Sequence, residues 1–168
     1  LITPTSAGAP NVTLTRQLRS AGANIPYGSY AIDETTAKNM GSNAEGVYLA
    51  ASYVSSLDTP ANERFLEALK EKFGDEAETP NELSVPQYDG IYAYAAAVEK
   101  AGSTEPSAVI EALSEVTIEG PRGSIKMDRQ RHAALTMYLG KVASDGSIEV
   151  VKTFESVDPG EQCPQFAD

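Results

Sequence analysis

The stretch from Ala51 to Ser103 constrains the fold more than any other part of the chain. Its first half ends an apolar run and turns through Ser55-Ser56-Leu57-Asp58-Thr59-Pro60. Thr59 has the side chain of a helix cap, and Pro60 suits the first helical position, where a missing N–H costs nothing. Phe65, Leu66, Leu69 and Phe73 then recur at helical spacing, and Gly74 stops them. Gly74 to Leu83 is acidic and polar, a surface loop. Pro86 opens a second helix that carries Tyr88, Tyr92 and Tyr94, with Ile91, Ala95 and Val98 as its expected inner face, and Gly102 ends it.

The flanks repeat the alternation of strand and helix. Leu1 to Thr5 reads as the tail of a buried strand, and Ser6-Ala7-Gly8-Ala9-Pro10 as a turn of small residues. Asn11 is the expected cap of a helix to about Ala21, with Val12, Leu14 and Leu18 inward. Ile25 to Ile32 is the next strand, after which Asp33 caps a short helix with Glu34 in its first turn, where the dipole favours an acid. Gly46 to Tyr53 is strand-like, and Ser103 or Thr104 caps a later helix with Val109, Ile110 and Leu113 inward. From Val116 the period changes to two. Gly120-Pro121-Arg122-Gly123 is a turn, Leu135, Met137 and Leu139 alternate with other residues, and Asp145-Gly146 turns the chain into Ile148–Phe154. The pattern predicts an α/β fold: a parallel sheet flanked by helices, with a C-terminal antiparallel hairpin.

The formal net charge of −11 argues against nucleic acid as a partner, because little here could neutralise phosphates. No apolar run approaches the ~18 residues of a membrane span. Cys163 is the single cysteine, so no disulfide forms within the chain and no multi-thiol zinc site is expected. No cofactor is expected. Leu1 falls inside a strand pattern with no leader before it, which suggests the later part of a longer protein; a cysteine in the rest of that protein would pair with Cys163.

No catalytic constellation emerges. His132, the only histidine, lies in a charged run and reads as a surface or strand-entry residue rather than a base. The Gly120–Gly123 turn lacks the Gly-Lys-Ser/Thr ending of a phosphate loop. Asn11-Val12-Thr13 fits a glycosylation acceptor pattern that is common by chance. Ligands of parallel α/β sheets collect beyond the carboxyl ends of strands. Thr5 and Ser6 sit at one such end, in a loop that reads either as a ligand loop or as an ordinary βα turn. Ser29, Tyr30 and Ala31 end the next strand, and Tyr30 could stack on or hydrogen-bond a small polar solute. Tyr88 is expected to point toward the same cleft, and Ser55 and Ser56 to line a hinge. Tyr92 and Tyr94 read as packing and surface residues.

Several segments together carry a family resemblance. They are Leu14-Thr15-Arg16-Gln17-Leu18-Arg19-Ser20-Ala21-Gly22, Asn43-Ala44-Glu45-Gly46, Ser55 to Asn62, Glu99-Lys100-Ala101-Gly102-Ser103, and Glu119 to Gly123 leading into Ser124–Asp128. In that order they resemble the periplasmic-binding-protein type I family, the solute-binding proteins of transporters for urea, short-chain amides and branched-chain amino acids. The resemblance implies a two-lobe binding protein, not an enzyme, with a membrane permease of an ABC transporter as partner. It implies that residues 1–50 belong to the second lobe, 51–117 to the returning part of the first, and 118–168 to the crossing back and the tail. Amino-acid binders in this superfamily tend to place an acid at the end of the strand matching Ile25–Ile32, so the strand end Gly28-Ser29-Tyr30-Ala31 favours a small neutral polar solute, urea or a short-chain amide. The alternatives are a branched-chain or other amino acid, a cytoplasmic amide sensor, and a truncated α/β enzyme. Transport implies a location outside the cytoplasm; sensing implies the cytoplasm.

Overall fold

The computed structural model describes residues 1–161, so the expectations for Cys163 lie outside the described residues. Helix α1 (Ala9–Ser20) is followed by β1 (Gly28–Ser29), α2 (Glu34–Met40) and β2 (Tyr48–Ala51). Helices α3 (Pro60–Phe73), α4 (Ser84–Ala101) and α5 (Pro106–Ala112) come next, then the short strands β3 (Thr117–Gly120) and β4 (Gly123–Lys126). Strands β5 (Leu135–Val142) and β6 (Ile148–Val157) close the described chain.

One mixed sheet has the order β1-β2-β5-β6. Strands β1 and β2 run parallel, and Ile2 extends the sheet beyond β1 through a parallel bridge to Tyr27. Strand β5 is antiparallel to β2, with Leu49 opposite Gly140, and β6 is antiparallel to β5. The expected hairpin is present, but its loop runs over Ala143–Ser147: the Ala143 N–H donates to the Ser147 carbonyl at 2.9 Å, and Gly146 takes φ 83. Only Ile2 of the first expected strand and Tyr27–Ser29 of the second are paired. The apolar runs are longer than the ladder because backbone pairing, not composition, ends a strand.

The core lies on one face of this sheet. Tyr27, Leu49, Ala51, Val142 and Ile148 pack there against Ala37 and Met40 of α2, with Leu14 and Leu18 of α1 at the margin. Gly140 is needed at this contact: a Cβ would stand 2.7 Å from Ile148 Cγ2 and 3.2 Å from Leu49 Cγ. By the two-residue alternation of strands, Gly28, Tyr48 and Ala50 point to the opposite face, which α1 and α2 leave open.

Helices α3, α4 and α5 and the β3–β4 ribbon form a second body. Thr59 caps α3 as expected, its hydroxyl accepting from the Asn62 N–H at 3.2 Å. Helix α4 starts two residues before Pro86, because the Asn81 carboxamide oxygen accepts from the Leu83 and Ser84 N–H groups at 3.0 and 2.9 Å. Its buried stripe is Val85, Asp89, Ala93 and Ala97; of the expected inner face Ile91 is 69 % exposed and Ala95 is exposed, while Val98 is half-buried against the Ala97 cluster. Small residues win this face because Ile118 and Ile125 of the ribbon and Val109 and Ala112 of α5 approach closely there. Asn11 is likewise not a cap. Gly8 precedes α1, and Asn11 is buried within its first turn. Glu105, with Pro106 after it, stands at the start of α5, where Ser103 or Thr104 was expected, and Ile110 is exposed.

Candidate functional site

The carboxyl ends of the parallel strands are tied together by one buried side chain. Asn11 Oδ1 accepts from the Ser6 hydroxyl at 2.7 Å and from the Tyr27 hydroxyl at 3.0 Å. Asn11 Nδ2 donates to the Ser6 and Ala31 carbonyls at 2.8 and 3.2 Å. A polar residue fully removed from water needs such partners, and here it fixes the loop after Ile2 against the end of β1.

Beside this knot a groove of about 520 Å³ runs along the open sheet face, from Leu1 and Tyr48 to Thr5 and Tyr30. Thr5, Ser29 and Tyr30 all line it, together with Leu139 of β5. Among the described residues no charged side chain borders it. Tyr30 is 64 % exposed, so its ring is available to a molecule in the groove. Ser29 Oγ accepts from the Ala31 N–H at 3.1 Å, which turns the chain at the strand end.

Other expected residues stand elsewhere. Ser6 and Ala31 belong to the Asn11 knot and do not line the groove. Tyr88 is on α4, its ring 4.9 Å from Phe65 and 4.8 Å from Tyr92. It borders recesses beside α3, away from Thr5 and Tyr30. Ser55 and Ser56 lie on the crossing between the two bodies. The Ser55 N–H donates to Glu34 Oε1 at 2.5 Å, and the Ser56 hydroxyl donates to the Ile148 carbonyl at 2.5 Å.

The crossing is held by side chains that were not singled out in advance. Asn62 Oδ1 accepts from the Tyr53 hydroxyl at 2.7 Å, while its Nδ2 donates to the Ser55 and Leu57 carbonyls. Burial, and secondarily the charge of Glu34, holds the Tyr53 phenol well above its ordinary pKa. Glu82 accepts the Ser52 and Tyr53 N–H groups, both at 2.8 Å. Only the local signals, Asn62 three residues after a cap and Glu82 just before a helix, hinted at these roles.

His132 sits in the link before β5, its backbone N–H on Asp128 Oδ1 at 2.9 Å. Among the described residues no group of three or more His, Cys, Asp or Glu is placed to hold a metal ion. No described helix is long and apolar enough to cross a membrane.

The family model described as periplasmic binding protein matches residues 1–147. A Leu/Ile/Val-binding protein homolog of Brucella suis is 30 % identical over 167 residues, which is 94 % of this chain and 42 % of the relative. A solute binding protein of an ABC transporter from Rhodopseudomonas palustris, solved in complex with 3,4-dihydroxybenzoic acid, is 26 % identical with a TM-score of 0.79. It covers 94 % of this chain, which spans 46 % of it. A protein of Geobacillus stearothermophilus named limonene hydroxylase is 28 % identical over 121 residues, 71 % of this chain and 22 % of its own length. The chain thus spans less than half the length of each of these relatives.

Proposed function

The chain belongs to the periplasmic binding protein family, and from that premise we propose that it is part of a two-lobe solute-binding protein of an ABC-type uptake system. The sheet body with α1 and α2 is one lobe's share, and α3–α5 with the β3–β4 ribbon is the other's. The crossing at Ala51–Leu57 is one of the links between them. The solute sits where Thr5, Ser29 and Tyr30 meet, and closure of the lobes over it presents a surface to a membrane permease outside the cytoplasm. The observation that carries this reading is the groove at the ends of two parallel strands, the place where α/β sheets collect ligands.

Because no charged side chain among the described residues borders the groove, a neutral solute meets no unpaired buried charge from them. Urea or a short-chain amide fits that condition, with the hydroxyls of Thr5 and Tyr30 as hydrogen-bond partners. A second reading is favoured by the groove's apolar wall, Leu1, Tyr48 and Leu139. It is a solute with an apolar body, a branched-chain amino acid or an aromatic acid, whose charge is met by residues outside this chain. The names of the Brucella and Rhodopseudomonas relatives support it. Calorimetric titration of the full-length protein with urea, acetamide, leucine and 3,4-dihydroxybenzoate separates the two. Heat with urea or acetamide alone supports the neutral solute, heat with leucine or the benzoate alone supports the second reading, and no heat with any of the four contradicts both.

A further inference from the structure

The backbone that crosses between the two bodies is held by carboxylates rather than by a neighbouring strand. Glu34, on the sheet side, takes the Ser55 N–H. Glu82, on the helical side, takes the Ser52 and Tyr53 N–H groups through one oxygen. A polar chain continues from there. The Ser52 hydroxyl donates to Glu82 at 3.2 Å and accepts from Arg122 Nη1 at 3.0 Å. Arg122 Nε donates to Asp89 Oδ2 at 2.7 Å. The Arg122 and Asp89 side chains are only 10 % and 3 % exposed. Asp89 fits there because residue 120 is glycine: a Cβ would lie 2.1 Å from Asp89 Oδ1.

We propose that Glu82, Ser52, Arg122 and Asp89 form a latch that fixes the crossing, and that they are positioning residues for solute binding. The binding half of this statement rests on the two-lobe reading. Three positions from three separate segments converge on Ser52 and Tyr53 of the crossing, Asp89 through Arg122. Arg122 comes from the turn between β3 and β4, Asp89 from α4, and Glu82 from the loop before α4. Each hydrogen bond in the chain has one donor and one acceptor in the sense the next one needs, with Ser52 as the relay. Removing the relay leaves Arg122 and Glu82 each short of a partner in a place largely closed to water, where a missing partner is costly. The latch therefore ties the sheet body to the helical body without touching the groove.

The test is residue-resolved amide exchange on the full-length protein, with the Val142 amide, which donates to the Val47 carbonyl within the sheet, as control. In Glu82→Ala the Tyr53 amide should exchange about tenfold faster or more, as loss of a charge-assisted bond implies, with Val142 unchanged. Ser52→Ala should accelerate Tyr53 in the same sense, and Ser52→Thr, which keeps the hydroxyl, should restore protection. Should Glu82→Ala fail to fold, the Ser52 pair carries the test. Unchanged Tyr53 exchange, equal acceleration at Val142, or a Ser52→Thr variant as fast as Ser52→Ala would each overturn the latch. The solute with the largest calorimetric response should bind more weakly to Ser52→Ala than to Ser52→Thr. Faster Tyr53 exchange with unchanged affinity would leave the latch standing and overturn its positioning role.

Discussion

One carboxamide, that of Asn62, meets three polar groups of the crossing, and this sets its importance above that of the cap beside it. Asn62→Ala leaves the buried Tyr53 hydroxyl and two carbonyls without their partner and should cost about 2 kcal/mol or more. Thr59→Ala removes a single cap bond and should cost ~1 kcal/mol. Urea unfolding of both variants checks the order; a larger loss in Thr59→Ala would contradict it. Glu82 makes a pH-dependent prediction. Burial raises its pKa above the usual 4.5, outweighing the N–H bonds from Tyr53 and Ser52, the Ser52 hydroxyl and the charge of Arg122. The other titratable groups around it are Asp89 behind Arg122, Tyr53 of the crossing, Glu34 of α2, and Asp33, which binds Asn81. A raised folded pKa means stability that is present below the unfolded value and lost as pH rises through the folded one. Relative to Glu82→Gln, the unmodified protein should therefore lose stability as pH rises from about 4.5 through the raised value, then run parallel. A gap that widened in the opposite direction in urea midpoints would show that the hydrogen bonds, not burial, dominate. In the groove, Tyr30→Ala should weaken solute binding by about tenfold or more while leaving the fold intact, whereas Tyr92→Ala should affect stability alone. Equal affinity of Tyr30→Ala and the unmodified protein in calorimetry would remove Tyr30 from the site.

Among the elements, most local signals were legible, although Asn11 and Ser103 or Thr104 do not cap their helices, and distant pairings were not. Asp33 and Thr59 cap where expected, Gly74 and Gly102 end their helices with φ 58 and 60, and both hairpin turns fall at the expected glycines. Each of these depends on a few adjacent residues. Strand lengths were misjudged because they depend on partners far away in the chain. The face of α4 was misjudged for a related reason. An acid such as Asp89 reads as solvent-facing until Arg122, 33 positions later, is brought beside it. The strand-end rule located Thr5, Ser29 and Tyr30, but nothing in the tyrosine spacing distinguished Tyr88, which packs on Phe65. Ser52 and Arg122 are 70 positions apart, so no window of sequence could pair them. The close contact of β5 with β2 and β6 yields its own test. Gly140→Ala pushes a methyl group into Ile148 and Leu49 and should cost ~1–3 kcal/mol, the usual range for overpacking. An unchanged Tm for that variant would mean that the hairpin sits farther from β2 than described.

For the whole molecule, the largest core cluster runs from the sheet through the crossing to Val85 of α4 and Phe65 of α3, and two smaller clusters lie among α4, α5 and the ribbon. On the proposed two-lobe reading, the side-chain contacts of the crossing re-form more readily than a strand ladder when the lobes move. On the same proposed reading, the open sheet face and the exposed Ile91 and Tyr94 of α4 are apolar surface available to the remainder of the protein, whose Brucella relative is more than twice the length of this chain. The solute lies, in this account, between that remainder and the ends of the parallel strands. A crystal structure of the full-length protein with the solute that binds it most tightly in calorimetry tests this most directly. The account predicts the solute within hydrogen-bonding or van der Waals contact of Thr5 and Tyr30, with the Ser52–Glu82–Arg122 chain intact beside it. A solute bound against Tyr88 and Phe65, or anywhere that leaves Thr5 and Tyr30 in contact with solvent alone, would contradict it.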